Sequence, residues 1–412
     1  MKKASLATLF LTVFLDLLGY GLVVPFLPRI AREYGANDAV ATLIGTSYSL
    51  MQFLFIPIWG RLSDRIGRRP VLLVSIAGSA IGMAILGFAE SLPLLFAGRI
   101  LSGIFTANIA VAQAYVADVT DESNRAKGMG IIGVGFGLGF VFGPYLGGEL
   151  SDTAWIARPG ALAAFAAAGL SLLNFALALR NVPESLPVER RGARVRSSRP
   201  FDLSGLKRTL LVPGVWPVLL VNFMALLAFS GMEQTFALFT EDGFGMGEKP
   251  TGRILGFVGM MLVIVQGGLI KPLSKKFGEA LLIRAGTAIE ALAFFLMGMS
   301  PDLMGGSLTV LLIAAGGIAI ANGLINPSIP SYASKCSDAA NQGTTLGALQ
   351  SLGALARVLG PLAAGILYEN FGYAPMFSTL SAVLVVGALF ALALRLPLAR
   401  RATGDAAVTP AE

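Results

Sequence analysis

Mostly apolar stretches recur along the whole chain, each long enough to cross the roughly 30 Å hydrocarbon core of a bilayer as a helix. Of the 412 residues, 55% are hydrophobic and 13% are charged, whereas a soluble domain carries about 25% charged residues. A chain this long and this apolar cannot cover itself with a polar surface in water. The sequence therefore predicts an all-α polytopic membrane protein.

The apolar stretches divide into two groups of six. The longest polar stretch, 181–208, lies between the groups and contains three prolines and a series of arginines. It predicts a linker between two six-helix bundles, 1–180 and 209–398, with a short tail at 399–412. The twelve predicted membrane helices are 4–30, 40–60, 70–90, 92–114, 127–149, 158–180, 209–240, 251–273, 280–299, 304–330, 341–368 and 371–396.

The distribution of basic residues predicts the orientation. Most of the 31 Lys and Arg residues fall on the side that carries both termini and the linker. Since cytoplasmic loops are enriched in Lys and Arg, this side is predicted to be cytoplasmic. The same rule explains the net charge of +7, so a nucleic-acid partner is not expected. The residues predicted on the other side are Arg29, Arg32, Arg158, Lys249 and Arg253.

Cysteine and histidine are nearly absent. Cys336 is the single cysteine and the chain has no histidine, which excludes disulfides and Cys or His metal sites. No metal or other cofactor is expected, and proton chemistry must use carboxyl groups.

The two halves share sequence features. Leu62-Ser63-Asp64-Arg65 recurs approximately as Leu273-Ser274-Lys275-Lys276, and Gly143-Pro144 recurs as Gly360-Pro361. Parallel repeats of this kind occur in transporters whose binding site lies between the repeats near the bilayer midplane.

The loop after the second predicted helix is the most specific motif. It reads Gly60-Arg61-Leu62-Ser63-Asp64-Arg65-Ile66-Gly67-Arg68-Arg69-Pro70 and resembles the signature GxLaDrxGrr of the major facilitator superfamily. The resemblance implies two pseudo-symmetric six-helix bundles around a central cavity, which opens alternately to each side. It also implies a gating role for Gly60, Asp64, Arg65, Gly67, Arg68 and Arg69.

Three further matches narrow the resemblance. They are Asp16 to Gly21 with Pro25 and Pro28, Arg99 to Gly103, and Gly135 to Gly148 around Pro144. Together they resemble the twelve-helix drug/proton antiporters, especially the tetracycline-exporter-like proteins. The match is weaker in the second half, where Lys275 replaces the aspartate at Asp64, and this leaves the substrate open.

The fifth predicted helix carries a stripe of Gly135, Gly139, Gly143 and Gly147, together with Pro144. Glycines four residues apart lie on one helix face, where another helix can pack at backbone distance. In the resembled family this motif is thought to seal the path between the halves. Ordinary helix packing is the alternative.

Five charged residues lie within predicted membrane helices: Asp16, Arg99, Glu233, Glu290 and Arg357. A buried charge is costly in a bilayer, so such residues are functional candidates. Asp16 is the predicted proton carrier, with Arg99 as its partner and Glu233 and Arg357 as the second-half candidates. Static ion pairs between helices are the alternative, and the sequence assigns no role to Glu290.

Other polar side chains within the apolar stretches are candidates for the substrate cavity. Each is individually more typical of a hydrogen bond between helices. They are Tyr20, Gln52, Asn108, Gln113, Asn222, Gln234, Asn322, Asn326 and Gln350.

These features favour a proton-coupled exporter of a small amphipathic or lipophilic compound. It would act as a monomer in a bacterial inner membrane, with both termini cytoplasmic. A facilitator or importer of a metabolite, sugar or lipid on the same fold is the alternative. A membrane-bound enzyme or sensor has no support from a metal cluster, a Ser–His pairing or a phosphate loop in the sequence. A channel is a third possibility.

Overall fold

The computed structural model describes residues 6–106, 108–120, 122–151, 158, 160–187, 191, 214–303, 306–337 and 342–394. Most of the predicted linker after 187, the start of the seventh predicted helix at 209–213 and the tail at 399–412 lie outside these residues. Within them, ten helical segments are long and apolar enough to cross a membrane.

The N-terminal half consists of helices that match the first six predicted spans. The first span is interrupted at Pro25, which cannot donate an amide hydrogen, and a 3-10 turn at Val24–Phe26 joins its two helices. The helices are α1 Leu6–Val23, α2 Leu27–Glu33, α3 Asp38–Ile66, α4 Arg68–Gly87, α5 Leu92–Ile104, α6 Asn108–Val119, α7 Glu122–Ser151 and α8 Ala161–Asn181.

The C-terminal half has six helices within the described residues. A short π-helix, Val265–Leu269, lies between its second and third helices. The helices are α9 Val215–Phe244, α10 Glu248–Ile264, α11 Ile270–Met299, α12 Leu308–Cys336, α13 Gln342–Phe371 and α14 Tyr373–Leu392.

Two local features explain why ten candidate spans are found where twelve membrane helices were predicted. The 52-residue span Glu248–Met299 would be about 78 Å long as a straight helix, far more than a bilayer core. It contains a non-helical residue, Gly278, with φ of 74° and ψ of 161°, so we count it as two crossings. Helices α5 and α6 are each too short to cross alone, and we count them as one.

The prediction of one continuous helix over 92–114 is wrong, because the chain breaks between α5 and α6. The break leaves backbone carbonyls without helical partners, and in a membrane these must be satisfied by protein groups. The Trp59 indole N–H donates to the Ile104 carbonyl and the Ser75 hydroxyl donates to the Phe105 carbonyl. Side chains from α3 and α4 therefore satisfy the interrupted backbone.

Each half has its own apolar core. One large cluster around Phe239, Phe294 and Phe377 fills the C-terminal half, and two clusters fill the N-terminal half, around Phe26 and Tyr115. The halves meet where α7 packs on α10 and α3 packs on α13. The central cavity lies between the halves.

Candidate functional site

The central cavity encloses about 1120 Å³ of empty space, counting the part that is open to solvent. Side chains of α1 and α7 form one wall, and those of α9, α10 and α12 form the other. The walls are mostly aromatic and aliphatic, with Phe136, Phe140, Phe229 and Phe236 among them. A cavity of this apolar character suits a small, largely apolar molecule.

Glu233 brings a carboxyl group to this apolar cavity. Among the described residues that line it, Glu233 alone carries a charge, and the polar groups beside it are Tyr20, Gln266, Asn322 and Asn326. Glu233 lies within electrostatic range of Arg357 and Arg99. The structure thus brings together three of the four residues that the sequence singles out for proton coupling.

The fourth residue, Asp16, has a different partner from the one expected. Its Oδ1 atom accepts a hydrogen bond from the Asn108 side chain at 2.7 Å. In the part of the chain that the structure describes, Asp16 and Arg99 do not form an ion pair. Asn108 was a cavity candidate, and it instead joins α6 to α1 through the carboxyl group.

Arg99 is fully buried and lies against aromatic rings. Its guanidinium carbon is 4.0 Å from the ring centroid of Tyr48 and 5.6 Å from that of Tyr20. The two tyrosines also pack on each other, with 5.6 Å between centroids. Cation–π contact partly replaces water around the guanidinium. The sequence reasoning missed Tyr48, although its position one helix turn before the predicted cavity residue Gln52 was a usable signal.

Glu290, to which the sequence assigned no role, has a hydrogen-bond partner in the structure. It is fully buried on α11, and its Oε1 atom accepts a hydrogen bond from the Asn322 side chain at 3.1 Å. Asn322 also lines the central cavity. Glu290 therefore lies directly behind the cavity wall.

The remaining cavity candidates are dispersed. Tyr20, Asn322 and Asn326 line the cavity. Asn222 donates to the Leu349 carbonyl, which links α9 to α13. Gln234 is buried and reaches Gly45 on α3, where an added Cβ would lie 2.1 Å from its Oε1. Outside the cavity lining, Gln52 is half-buried, whereas Gln113 and Gln350 are exposed.

The glycine stripe on α7 packs against α1 within the N-terminal half. A Cβ added at Gly143 would lie 2.7 Å from the Gly21 Cα atom, and one added at Gly147 would lie 2.2 Å from the Leu22 carbonyl oxygen. The contact between the halves uses the neighbouring face, where a Cβ added at Gly148 would lie 2.6 Å from the Glu248 carbonyl oxygen. A role of the stripe in sealing the path between halves stays a prediction.

The loop between α3 and α4 is held by charged contacts within the N-terminal half. Arg68 pairs with Asp64 at 2.6 Å and with Asp118 at 3.0 Å. Glu184 accepts the backbone N–H groups of Arg68 and Arg69 and so caps the N-terminus of α4.

The glycines of this loop have different environments. Gly67 lies at the turn, with φ of 112°, a conformation that favours glycine. Gly60 lies inside α3, where an added Cβ would meet nothing within 4 Å, so no turn or close helix contact is found at this glycine. Arg65 is exposed.

A network of ion pairs joins the halves at the opposite end of the bundle from this loop. Arg32 contacts Asp38 at 2.6 Å and both carboxylate oxygens of Asp242, at 2.8 and 2.7 Å. Arg253 pairs with Glu149 at 2.9 Å. We name this set the inter-half ion-pair network; it comprises Arg29, Arg32, Asp38, Glu149, Glu241, Asp242, Glu248, Lys249 and Arg253. Beside it, the Glu369 carboxylate accepts the Asp38 backbone N–H at 2.7 Å.

The basic members of this network predicted only the orientation of the chain, and their pairing across the halves was missed. Because the network ties both halves together at one end, we infer that the structure represents the state that is closed there.

Comparison with known proteins agrees with this architecture. The family model described as Major Facilitator Superfamily matches residues 9–361 and, in a second overlapping match, 267–410. The chain belongs to the major facilitator superfamily. Its relatives and structural neighbours are transporters, so this member is a multi-pass membrane transporter and not an enzyme.

Two relatives and one solved structure show how close the similarity is. The class C tetracycline resistance protein of Escherichia coli is 35% identical over 360 residues, covering 87% of this chain and 88% of that protein. Human major facilitator superfamily domain-containing protein 10 is 30% identical, covering 93% and 92%. The crystal structure of that human protein, described as an organic anion transporter, superposes with a TM-score of 0.71 at 27% identity, covering 94% of this chain and 98% of that one.

Proposed function

We propose that this transporter is a proton-coupled antiporter that exports a small amphipathic or lipophilic compound. The observation that carries the proposal is the position of Glu233, a carboxyl group at an apolar cavity between two halves that are tied together at one end. Tetracycline resistance proteins among the relatives support export of a drug-like compound.

The chemistry of coupling follows from the cost of a charge in an apolar site. An ionised carboxylate facing such a cavity is costly, and taking up a proton removes that cost. Contact with water or with an arginine favours the ionised form instead. A carboxyl group whose surroundings alternate between these conditions takes up a proton on one side of the membrane and releases it on the other. We propose Glu233, near Arg357, and Asp16, beside Asn108, for this role.

The energy available to such a cycle is sufficient for efflux. One proton that crosses a potential of 100 mV releases about 2.3 kcal/mol. At about 1.4 kcal/mol per tenfold change, this supports a substrate gradient of about fortyfold.

The cavity lining favours a ligand with a broad apolar surface and few polar groups. Phenylalanines and the methionines Met232 and Met297 supply adaptable apolar contacts. Tyr20, Asn322 and Asn326 supply hydrogen-bonding groups near Glu233. A strongly polar metabolite or sugar would leave many of its groups without partners here.

Transport by purified protein in proteoliposomes tests the proposal. Tetracycline and a panel of amphipathic aromatic compounds are offered under an imposed pH gradient, while an internal dye reports proton movement. We expect gradient-driven accumulation by the native protein and its loss in Asp16→Asn and in Glu233→Gln, with downhill flux partly retained. Glu90→Gln is the matched control, because Glu90 is 63% exposed and pairs with Arg158 at the surface.

Two outcomes would contradict the proposal. If both variants accumulate substrate as the native protein does, neither carboxyl group couples transport to protons. If substrate moves with no proton movement in any variant, the protein is a facilitator.

We also propose that the ion-pair network faces away from the cytoplasm, that the protein resides in a bacterial inner membrane and that it acts as a monomer.

A further inference from the structure

A second cavity lies on the outer surface of the C-terminal half, in a groove between α11 and α14. It encloses about 1000 Å³ of empty space, counting the part that is open to its surroundings. Small side chains form its floor: Ala288 and Ala291 from α11, and Ala388 from α14. The helices are close below this floor, since the Ser381 hydroxyl donates to the Ala291 carbonyl at 2.7 Å.

The sides of the groove are large apolar side chains that point away from the protein. Leu292 is 59% exposed, Phe295 47% and Leu389 61%. The lining residues of each helix recur at helical spacing, so the groove follows both helix axes. From Arg284 to Phe295 it runs about 16 Å, about half the roughly 30 Å thickness of a bilayer core. The groove therefore has the length of an acyl chain in one leaflet.

One end of the groove carries a positive charge. Arg284 lines it there and donates from Nε to the Ala391 carbonyl at 3.1 Å and from Nη2 to the Leu392 carbonyl at 3.1 Å. A further hydrogen bond joins Nη2 to the Leu394 carbonyl. These bonds hold the guanidinium at the C-terminal end of α14. Its Nη1 group has no acceptor among the described residues, so it can donate to a ligand.

Two more basic residues come shortly before Arg284 in the chain. Lys275 and Lys276 are exposed and precede the turn at Gly278 that begins the second part of α11. Basic pockets between membrane helices, at the level of the lipid headgroups, favour anionic lipids.

We propose that this groove binds an anionic phospholipid of the bilayer, with one acyl chain between α11 and α14 and the headgroup phosphate at Arg284. The bound phospholipid belongs to the leaflet on the same side of the membrane as the α3–α4 loop. The proposal depends on the groove and its charge, and is independent of the transported substrate and of proton coupling.

Native mass spectrometry of the full-length protein with an equimolar mixture of phosphatidylglycerol and phosphatidylcholine tests the proposal. We expect the native protein to prefer phosphatidylglycerol as its first bound lipid. In Arg284→Gln this preference falls about fivefold, the effect of one basic residue near a membrane surface. Arg284→Lys retains most of it. Ala388→Phe, which fills the groove floor and leaves Arg284 in place, lowers first-site occupancy by both lipids.

Arg180→Gln is the matched control. Arg180 is exposed at the end of α8, away from the groove, and its replacement removes the same charge from the protein. The proposal is overturned if Arg284→Gln binds lipid as the native protein does, or if Arg180→Gln loses as much preference. It is also overturned if Ala388→Phe leaves lipid occupancy unchanged while circular dichroism and thermal unfolding show that it is folded.

Discussion

Arg68 pairs with Asp118 at 3.0 Å between Nε and Oδ2, and the C-terminal half repeats this contact with the charges exchanged. There Glu279 follows the turn at Gly278, as Arg68 follows Gly67, and pairs with Lys335 near the end of α12. Equivalent helices of the two halves thus make the same contact, with the acidic and the basic residue exchanged. The basic partner differs in burial: the Arg68 side chain is 4% exposed and that of Lys335 is 53% exposed.

This difference predicts unequal stability effects. Arg68→Gln leaves Asp118, whose side chain is 11% exposed, without its charged partner and should lower the free energy of unfolding by about 3 kcal/mol. Lys335→Gln removes a largely exposed partner and should cost about 1 kcal/mol or less. Thermal unfolding of the purified variants in one detergent measures both. Equal losses would show that burial does not set the strength of these pairs.

The inter-half ion-pair network predicts a shift in conformational state. Arg32→Gln removes the contacts to Asp38 and Asp242, and the closed state should lose about 1 kcal/mol relative to the open one. In a Cys336→Ser, Met232→Cys background, an impermeant thiol reagent added from the network side should then react about fivefold faster.

The control for this experiment is Arg158→Gln. Arg158 pairs with Glu90 within the N-terminal half, at 2.8 Å, so its loss should not change the labelling rate at position 232. Faster labelling in the control, or none in Arg32→Gln, would argue against a closing role for the network.

Glycines on two faces of α7 predict two separable effects. Gly143→Ala places a Cβ 2.7 Å from the Gly21 backbone within one half, and should lower thermal stability by about 1–3 kcal/mol. Gly148→Ala meets the Glu248 carbonyl of the other half, and should mainly raise thiol labelling from the network side. Gly169→Ala on α8 is the control, because its Cβ would meet nothing within 4 Å. Identical profiles for the two α7 variants would contradict this division.

The cap on α4 predicts an effect on the linker. Glu184→Gln weakens the bonds to the Arg68 and Arg69 amides, at 2.8 and 3.2 Å, and removes a negative charge from a helix N-terminus, at a cost of about 1 kcal/mol. Trypsin should then cleave the basic linker after 187 faster. Unchanged cleavage, measured beside Glu90→Gln, would show that Glu184 does not restrain the linker.

Much of the fold could be predicted from local sequence. The apolar stretches, the polar stretch after 181 and the Gly-Pro repeat were enough for the helices and the two halves. The break between α5 and α6 could not be predicted, because no proline lies between Arg99 and Gln113 and the stretch as a whole is apolar enough for one helix. It depends on Trp59 and Ser75, which reach the broken backbone from other helices.

The sequence predicted which residues belong to the candidate site better than it predicted the contacts between them. Glu233, Tyr20, Asn322 and Asn326 were singled out because polar groups are rare in apolar helices, and they line one cavity. Among the described residues Asp16 contacts Asn108 and not the expected Arg99, so a role of Arg99 in tuning Asp16 stays a prediction. Residue type indicates which side chains need a partner, but the rotation of each helix selects it.

The sequence by itself determined that this protein crosses a bilayer many times in two related halves, because apolar run length and repeat spacing are properties of the chain alone. Only the tertiary structure decided which carboxyl group faces the cavity, which glycine face meets the other half and which arginines tie the halves together. These choices depend on how helices rotate and pack against each other, and residues far apart in the chain set that packing jointly.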